Sequence, residues 1–125
     1  MKIEVCKTIR FDAAHALTST PADHKCHGLH GHTWVCHVWV TGPVAKQSGW
    51  IVDFHDLEHA LRTKVFNNLD HSILNETLEN PTTENLAVWI YEVVKSECLP
   101  PHCSVSRIEI QEGDTCFCTL TPDSL

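Results

Sequence analysis

The sequence predicts an α+β domain, with two helices packed on one face of an antiparallel sheet. Three observations predict it. Residues 3–15 alternate apolar and polar, residues 54–69 carry apolar side chains at helical spacing, and residues 104–120 return to β-type patterning after a second helical stretch. The chain has 125 residues, 42% hydrophobic and 20% charged, enough for one domain, 1–125, with its own core.

Along the first strand Ile3, Val5, Ile9, Phe11, Ala13 and His15 share one parity, with Lys7 as the exception, while Glu4, Thr8, Arg10 and Asp12 share the other. His15 therefore falls on the apolar face. Residues 18–29 are polar and irregular and read as a His- and Lys-bearing loop. Residues 32–41 are aromatic and β-branched, a second strand closed by Gly42-Pro43. Asp53 is a candidate N-cap for a helix over 54–69 through Phe54, Leu57, Leu61, Val65 and Leu69. Thr82 or Thr83 caps a second helix, with Glu84 at its positive end, Leu86, Trp89 or Ile90, and Val93 or Val94 as its stripe, and Pro100-Pro101 as its stop. Residues 104–112 form a third strand with Ile108 and Ile110 on one face. Gly113-Asp114 turns into a fourth strand, Thr115 to Leu120, which gives the order ββααββ.

Nine basic against sixteen acidic residues leave a net charge of −7, which argues against nucleic acid or an anionic membrane as the main partner but leaves a small anionic substrate open. No apolar run is long enough to span a membrane. Met1 to Val5 read as the start of a strand rather than a signal peptide, and the odd count of seven cysteines fits reduced thiols, so a cytoplasmic location is expected.

The strongest chemical signal is His30-Gly31-His32. Histidines at i and i+2 of an extended chain project to one face, and imidazole suits zinc. Alone the pair is weak. His15, at the end of the neighbouring strand, supplies a third ligand, and three protein ligands with one open position is the arrangement of a catalytic zinc site. His55 and His59 are spaced i, i+4, but the glutamate that a helical zinc site needs after the first histidine is replaced by Asp56, so they read as a solvated helix face. Cys26 lies four residues before His30, beside Lys25 and His27, where a cation and a metal would favour the thiolate. Asp70-His71 pairs a carboxylate with an imidazole, although the dipeptide also suits a helix end. Glu112 shares the parity of Ile108 and Ile110, and a carboxylate on an apolar face needs a cation or N–H donors.

These residues fall in Phe11-Asp12-Ala13-Ala14-His15, His24-Lys25-Cys26, Leu29-His30-Gly31-His32, Gly49-Trp50-Ile51-Val52-Asp53-Phe54, Leu69-Asp70-His71 and Glu79-Asn80-Pro81-Thr82-Thr83-Glu84, followed by the strand ending in Glu112. With them the chain resembles the 6-pyruvoyltetrahydropterin synthase family, nearly end to end. The three-residue spacer between Cys26 and His30 is most similar to the branch that forms 6-carboxy-5,6,7,8-tetrahydropterin for queuosine biosynthesis. The resemblance implies zinc on His15, His30 and His32, Cys26 as general base or proton shuttle, and Asp70 and His71 as a second proton relay. It implies that Glu112 anchors the 2-amino-4-oxo edge of a pterin and that Thr82, Thr83 and Lys25 contact substrate. Arg10 and Lys7 are further candidates for the triphosphate. It also implies the tunnelling fold, in which subunits join their sheets into a barrel, usually as a hexamer of two trimers. The implied reaction converts 7,8-dihydroneopterin triphosphate to carboxytetrahydropterin, acetaldehyde and triphosphate. Pyruvoyl formation, related side-chain cleavage, and a non-catalytic zinc or pterin-binding protein are the alternatives. A cupin-like metal protein is disfavoured, because Cys36 and His37 stand where its acidic ligand would follow.

Overall fold

The computed structural model describes residues 1–122. Its first two strands, β1 (Glu4–His15) and β2 (His30–Thr41), pair antiparallel along their whole length, with His15 opposite His30 and Glu4 opposite Thr41. The second strand thus starts two residues earlier than its β-branched run suggests, at the first histidine of the His-Gly-His pair. Strand β4 (Ser104–Glu112) pairs with β2, Trp34 opposite Glu112, and β5 (Cys116–Leu120) pairs with β4.

The sheet differs from the expected four antiparallel strands by one element. Strand β3 (Ser72–Ile73) adds to the free edge of β1 in parallel, pairing Ser72 with Ala13 and Ile73 with Ala14. The order is β3-β1-β2-β4-β5, a mixed five-stranded sheet. Two residues are too few for alternation to register, so the chain reads as a turn there.

The predicted 54–69 helix is helical throughout, in three parts. These are α1 (Phe54–Leu61), capped by the Asp53 carboxylate on the His55 N–H, a π-helical turn (Arg62–Phe66), and α2 (Asn67–Leu69). The pattern explains the break. Leu57, Leu61, Val65 and Leu69 recur every four residues and all are fully buried. On an α-helix, four residues overshoot a full turn by about 40°, so such a stripe drifts off the sheet. The wider π turn takes back that drift and keeps all four on the core. Helix α3 (Thr83–Glu97) has Thr82 as its N-cap, the hydroxyl accepting from the Asn85 N–H at 3.1 Å. Ile90 and Val94 are its buried choices, with Trp89 and Val93 half-buried beside them.

Both helices cover one face of the sheet, where Ile9, Phe11, Trp34, Cys36, Val38, Ile108 and Ile110 are buried. Strand alternation puts His15, His32 and Glu112 on that same face, at the end of the sheet where β1 finishes and β2 begins. Lys7, the exception in the β1 pattern, reaches Glu58 on α1 at 3.5 Å.

Candidate metal centre

The β1–β2 register assembles the three histidines. His15 sits directly opposite His30, and His32 faces Ala13 two pairs further along. Each offers a ring nitrogen, and the three lie within 4.8 Å of one another. The rings meet edge to face, with centroids 4.6 Å apart for His15–His30, 5.2 Å for His15–His32 and 4.9 Å for His30–His32. Trp34 braces them. It is fully buried, donates its indole N–H to the Ala13 carbonyl at 3.1 Å, and stands edge-on to His15 and to His32.

The hydrogen bonds set the tautomers. His15 Nδ1 lies 2.7 Å from the Pro81 carbonyl, and His30 Nδ1 lies 2.8 Å from the Gly28 carbonyl. A carbonyl only accepts, so both Nδ1 atoms carry the proton, and in the neutral ring the lone pair is then on Nε2. His15 Nε2 is buried with no hydrogen-bond partner. Glu112 Oε1 stands 3.3 Å from it and 3.4 Å from His32 Nε2, and neither approach makes a hydrogen bond. Burial is the main influence holding the His32 pKa below the usual histidine value, outweighing the opposite pull of Glu112, and this favours the neutral ring that a metal requires. Lone pairs and a carboxylate oxygen thus converge with no donor between them, which is the chemistry of a cation site. The three imidazoles fit a divalent metal.

Next to this group a shallow cleft is lined by Asp12, Ala13, Ala14, Gly31, His32, Thr33, His71 and Ser72. Asp70 and His71 stand at its edge. Asp70 Oδ1 accepts the Asp12 N–H at 3.0 Å, and His71 Nδ1 donates to Asp70 Oδ2 at 2.6 Å. The backbone N–H on Asp70 is the main cause that holds its carboxyl below the usual carboxylate range, and the hydrogen bond to Asp70 pushes the His71 pKa up. His71 takes a left-handed backbone (φ 56°), a region histidine tolerates better than most residues, and this turn ends the helix and sends the ring outward.

Cys26 is half-buried in the loop that carries the chain from His15 to His30, and its carbonyl accepts the Leu17 N–H at 2.9 Å. Its thiol is not within the histidine group, although the loop is anchored at both ends on ligand-bearing strands. Lys25 is exposed on the same loop. Thr82 spends its hydroxyl on the helix cap, and Thr83 follows as the first residue of α3. Arg10 is exposed on β1. Lys7 stands eight residues from His15, roughly 26 Å along the strand, and is engaged by Glu58, so within one chain it is remote from the histidines. His55 and His59 are exposed on α1, as expected of a solvated face.

Two residues at the site escape sequence reasoning. Pro81 contributes only its carbonyl, and Asn75 holds the backbone of Ala16 with its side-chain amide at 2.9 Å on both sides. Neither is marked by periodicity. The signal that could have found Pro81 is its place inside the Asn80-Pro81-Thr82-Thr83-Glu84 segment.

A family model described as 6-pyruvoyl tetrahydropterin synthase matches residues 4–123. A dihydroneopterin monophosphate aldolase of Pyrococcus furiosus is 37% identical over 114 residues, 91% of this chain and 93% of that protein. A 6-carboxy-5,6,7,8-tetrahydropterin synthase of Synechocystis is 35% identical, with 84% of each chain covered. Among solved structures, 6-pyruvoyl tetrahydropterin synthase of Caenorhabditis elegans superposes with a TM-score of 0.85 at 24% identity, covering 97% of this chain and 96% of that one, so it shares the fold. The chain belongs to the 6-pyruvoyl tetrahydropterin synthase family.

Proposed function

We propose that this member of the 6-pyruvoyl tetrahydropterin synthase family is a zinc-dependent lyase. It converts 7,8-dihydroneopterin triphosphate and water to 6-carboxy-5,6,7,8-tetrahydropterin, acetaldehyde and triphosphate, and so serves queuosine biosynthesis in the cytoplasm. The observation that carries this reading is the convergence of the ring nitrogens of His15, His30 and His32, with Glu112 against His15 and His32, at the rim of a cleft that also holds His71.

His15, His30 and His32 hold the zinc, which when bound supplies a Lewis acid for the side-chain hydroxyls of the substrate. Glu112 accepts hydrogen bonds from the 2-amino-4-oxo edge of the pterin and fixes the ring. Thr82 and Thr83, at the start of α3, contact that ring from the adjoining segment. Cys26 takes a proton from the substrate side chain as thiolate. His71, kept protonated to higher pH by Asp70, delivers or returns the second proton from the other side. Lys25 and Arg10 are the available cations for the triphosphate. Subunits join their sheets into a barrel, as a hexamer of two trimers.

The relative from Pyrococcus furiosus favours a second reading, aldol-type cleavage of the side chain of a dihydroneopterin monophosphate. The same residues serve it, because both reactions deprotonate a hydroxyl beside the bond that breaks. The deciding experiment incubates the zinc-loaded protein with dihydroneopterin triphosphate and, separately, with the monophosphate, and identifies products by mass. Carboxytetrahydropterin with acetaldehyde from the triphosphate is the expected result. Cleavage of the monophosphate alone would replace it with the aldolase reading. No turnover of either substrate by zinc-loaded protein would leave a binding protein and defeat the enzyme assignment.

A further inference from the structure

The segment from Asp70 to Pro81 runs beside the end of β1 and holds it residue by residue. Asp70 Oδ1 accepts the Asp12 N–H, and the His71 N–H donates to the Asp12 carbonyl at 2.7 Å. Ser72 and Ile73 pair with Ala13 and Ala14. The Pro81 carbonyl takes the proton of His15 Nδ1. Between them, at Ala16, the ladder is completed by a side chain instead of a backbone. Asn75 Oδ1 accepts the Ala16 N–H at 2.9 Å, and Asn75 Nδ2 donates to the Ala16 carbonyl at 2.9 Å.

Ala16 is the first residue beyond β1, past the last residue pair that β1 shares with β2. No strand partner remains to fix its peptide groups. The primary amide of Asn75 has a peptide's donor and acceptor, so it stands in for the missing strand. Clamping both backbone groups of Ala16 fixes the φ and ψ that set where His15 is displayed and where the 16–29 loop, with Cys26, leaves the sheet. Asn75 is half-buried and its side chain makes no other hydrogen bond among the described residues, so it has no competing task there.

We infer that Asn75 is a positioning residue of the metal centre, aligning His15 and the Cys26 loop through the backbone of Ala16. The inference rests on His15 being a metal ligand. Asp at this position keeps the acceptor for the Ala16 N–H and loses the donor for its carbonyl, while Ala loses both.

The test measures zinc affinity by competition with a chromophoric chelator on the metal-stripped full chain, for wild type, N75A, N75D and the control S96A. Ser96 makes a comparable side-chain bond, to the Glu92 carbonyl at 2.8 Å, inside α3. N75A is expected to weaken zinc roughly tenfold, the usual effect of losing a residue that orients a ligand. It is also expected to lower kcat for dihydroneopterin triphosphate with little change in KM, and to speed hydrogen exchange of the Ala16 amide. N75D falls between N75A and wild type, and S96A matches wild type. Wild-type zinc affinity and kcat in folded N75A, or in N75D should N75A not fold, would overturn the inference and leave the metal site standing. A wild-type protein that binds no zinc would overturn both.

Discussion

The two faces of the sheet at β2 each hold a polar group, one around His37 and one around His15, His30 and His32, and they differ in what the imidazole nitrogens face. On the open face His37 is fully occupied. Gln111 donates its amide to His37 Nε2 at 3.3 Å, so Nδ1 carries the proton and meets Thr8 Oγ1 at 2.7 Å, with Glu109 at 3.9 Å. On the helix-covered face His15 and His32 stand against Glu112, the counterpart of Glu109 on β4, yet His15 Nε2 is left without a hydrogen-bond partner among the described residues. Both groups draw on β1, β2 and β4, the open one around a single histidine and the covered one around three. What makes the covered group a metal centre is that three imidazoles converge with acceptor capacity left unpaired, whereas the single imidazole of His37 is spent on hydrogen bonds.

The comparison breaks most sharply at His15. H15A is expected to abolish zinc binding and turnover, whereas H37F should leave zinc stoichiometry unchanged and cost about 1–2 kcal/mol for its two lost hydrogen bonds. Thermal unfolding with and without zinc reads this directly. Zinc at a hundredfold over its Kd should stabilise wild type and H37F by about 2.7 kcal/mol and H15A not at all. Equal zinc responses in H15A and H37F would erase the distinction between the two faces.

Within the helix-covered face the next division is between holding metal and moving protons. C26A should bind zinc as wild type does while kcat falls by about two to four orders of magnitude, the range for losing a general base. Loss of zinc in C26A, measured by metal analysis, would make the cysteine a ligand instead. A smaller change follows D70N. Asp70 raises the His71 pKa, so removing its charge should let that pKa fall, and the limb of the pH–rate profile that reports His71 should move to lower pH. An unmoved limb would detach the pair from turnover. The smallest effect is expected at T82A. Losing the cap of α3 should lower stability by about 1 kcal/mol by thermal unfolding, and the zinc affinity should stay, because the Pro81 carbonyl that holds His15 belongs to the backbone.

Much of this was legible in the chain. Alternation placed His15 and Glu112 on the apolar face, and the register of β1 with β2 then put His15 against His30. The Asp53 cap, a threonine cap at 82 or 83 and the 54–69 helix follow from local chemistry, since a capping side chain acts within three residues of its own position, and the structure chooses Thr82. The two-residue strand β3, the π turn at 62–66, the Asn75 clamp and the Pro81 carbonyl were not legible. Each depends on a partner that alternation and helical spacing cannot register.

The sequence by itself determined the class of the fold, the existence and starts of the helices to within a residue, and the three histidines with their shared face, because period-two and period-3.6 patterns and capping chemistry are local. Only the tertiary structure decided which nitrogen of His15 and His30 carries the proton, and that Glu112 meets His15 and His32 without a hydrogen bond. It also decided that the end of β1 is held by Asn75 and Pro81, some sixty residues on. Those facts are set by carbonyls and amides brought together across the chain, and a backbone group has no residue identity for a sequence to display.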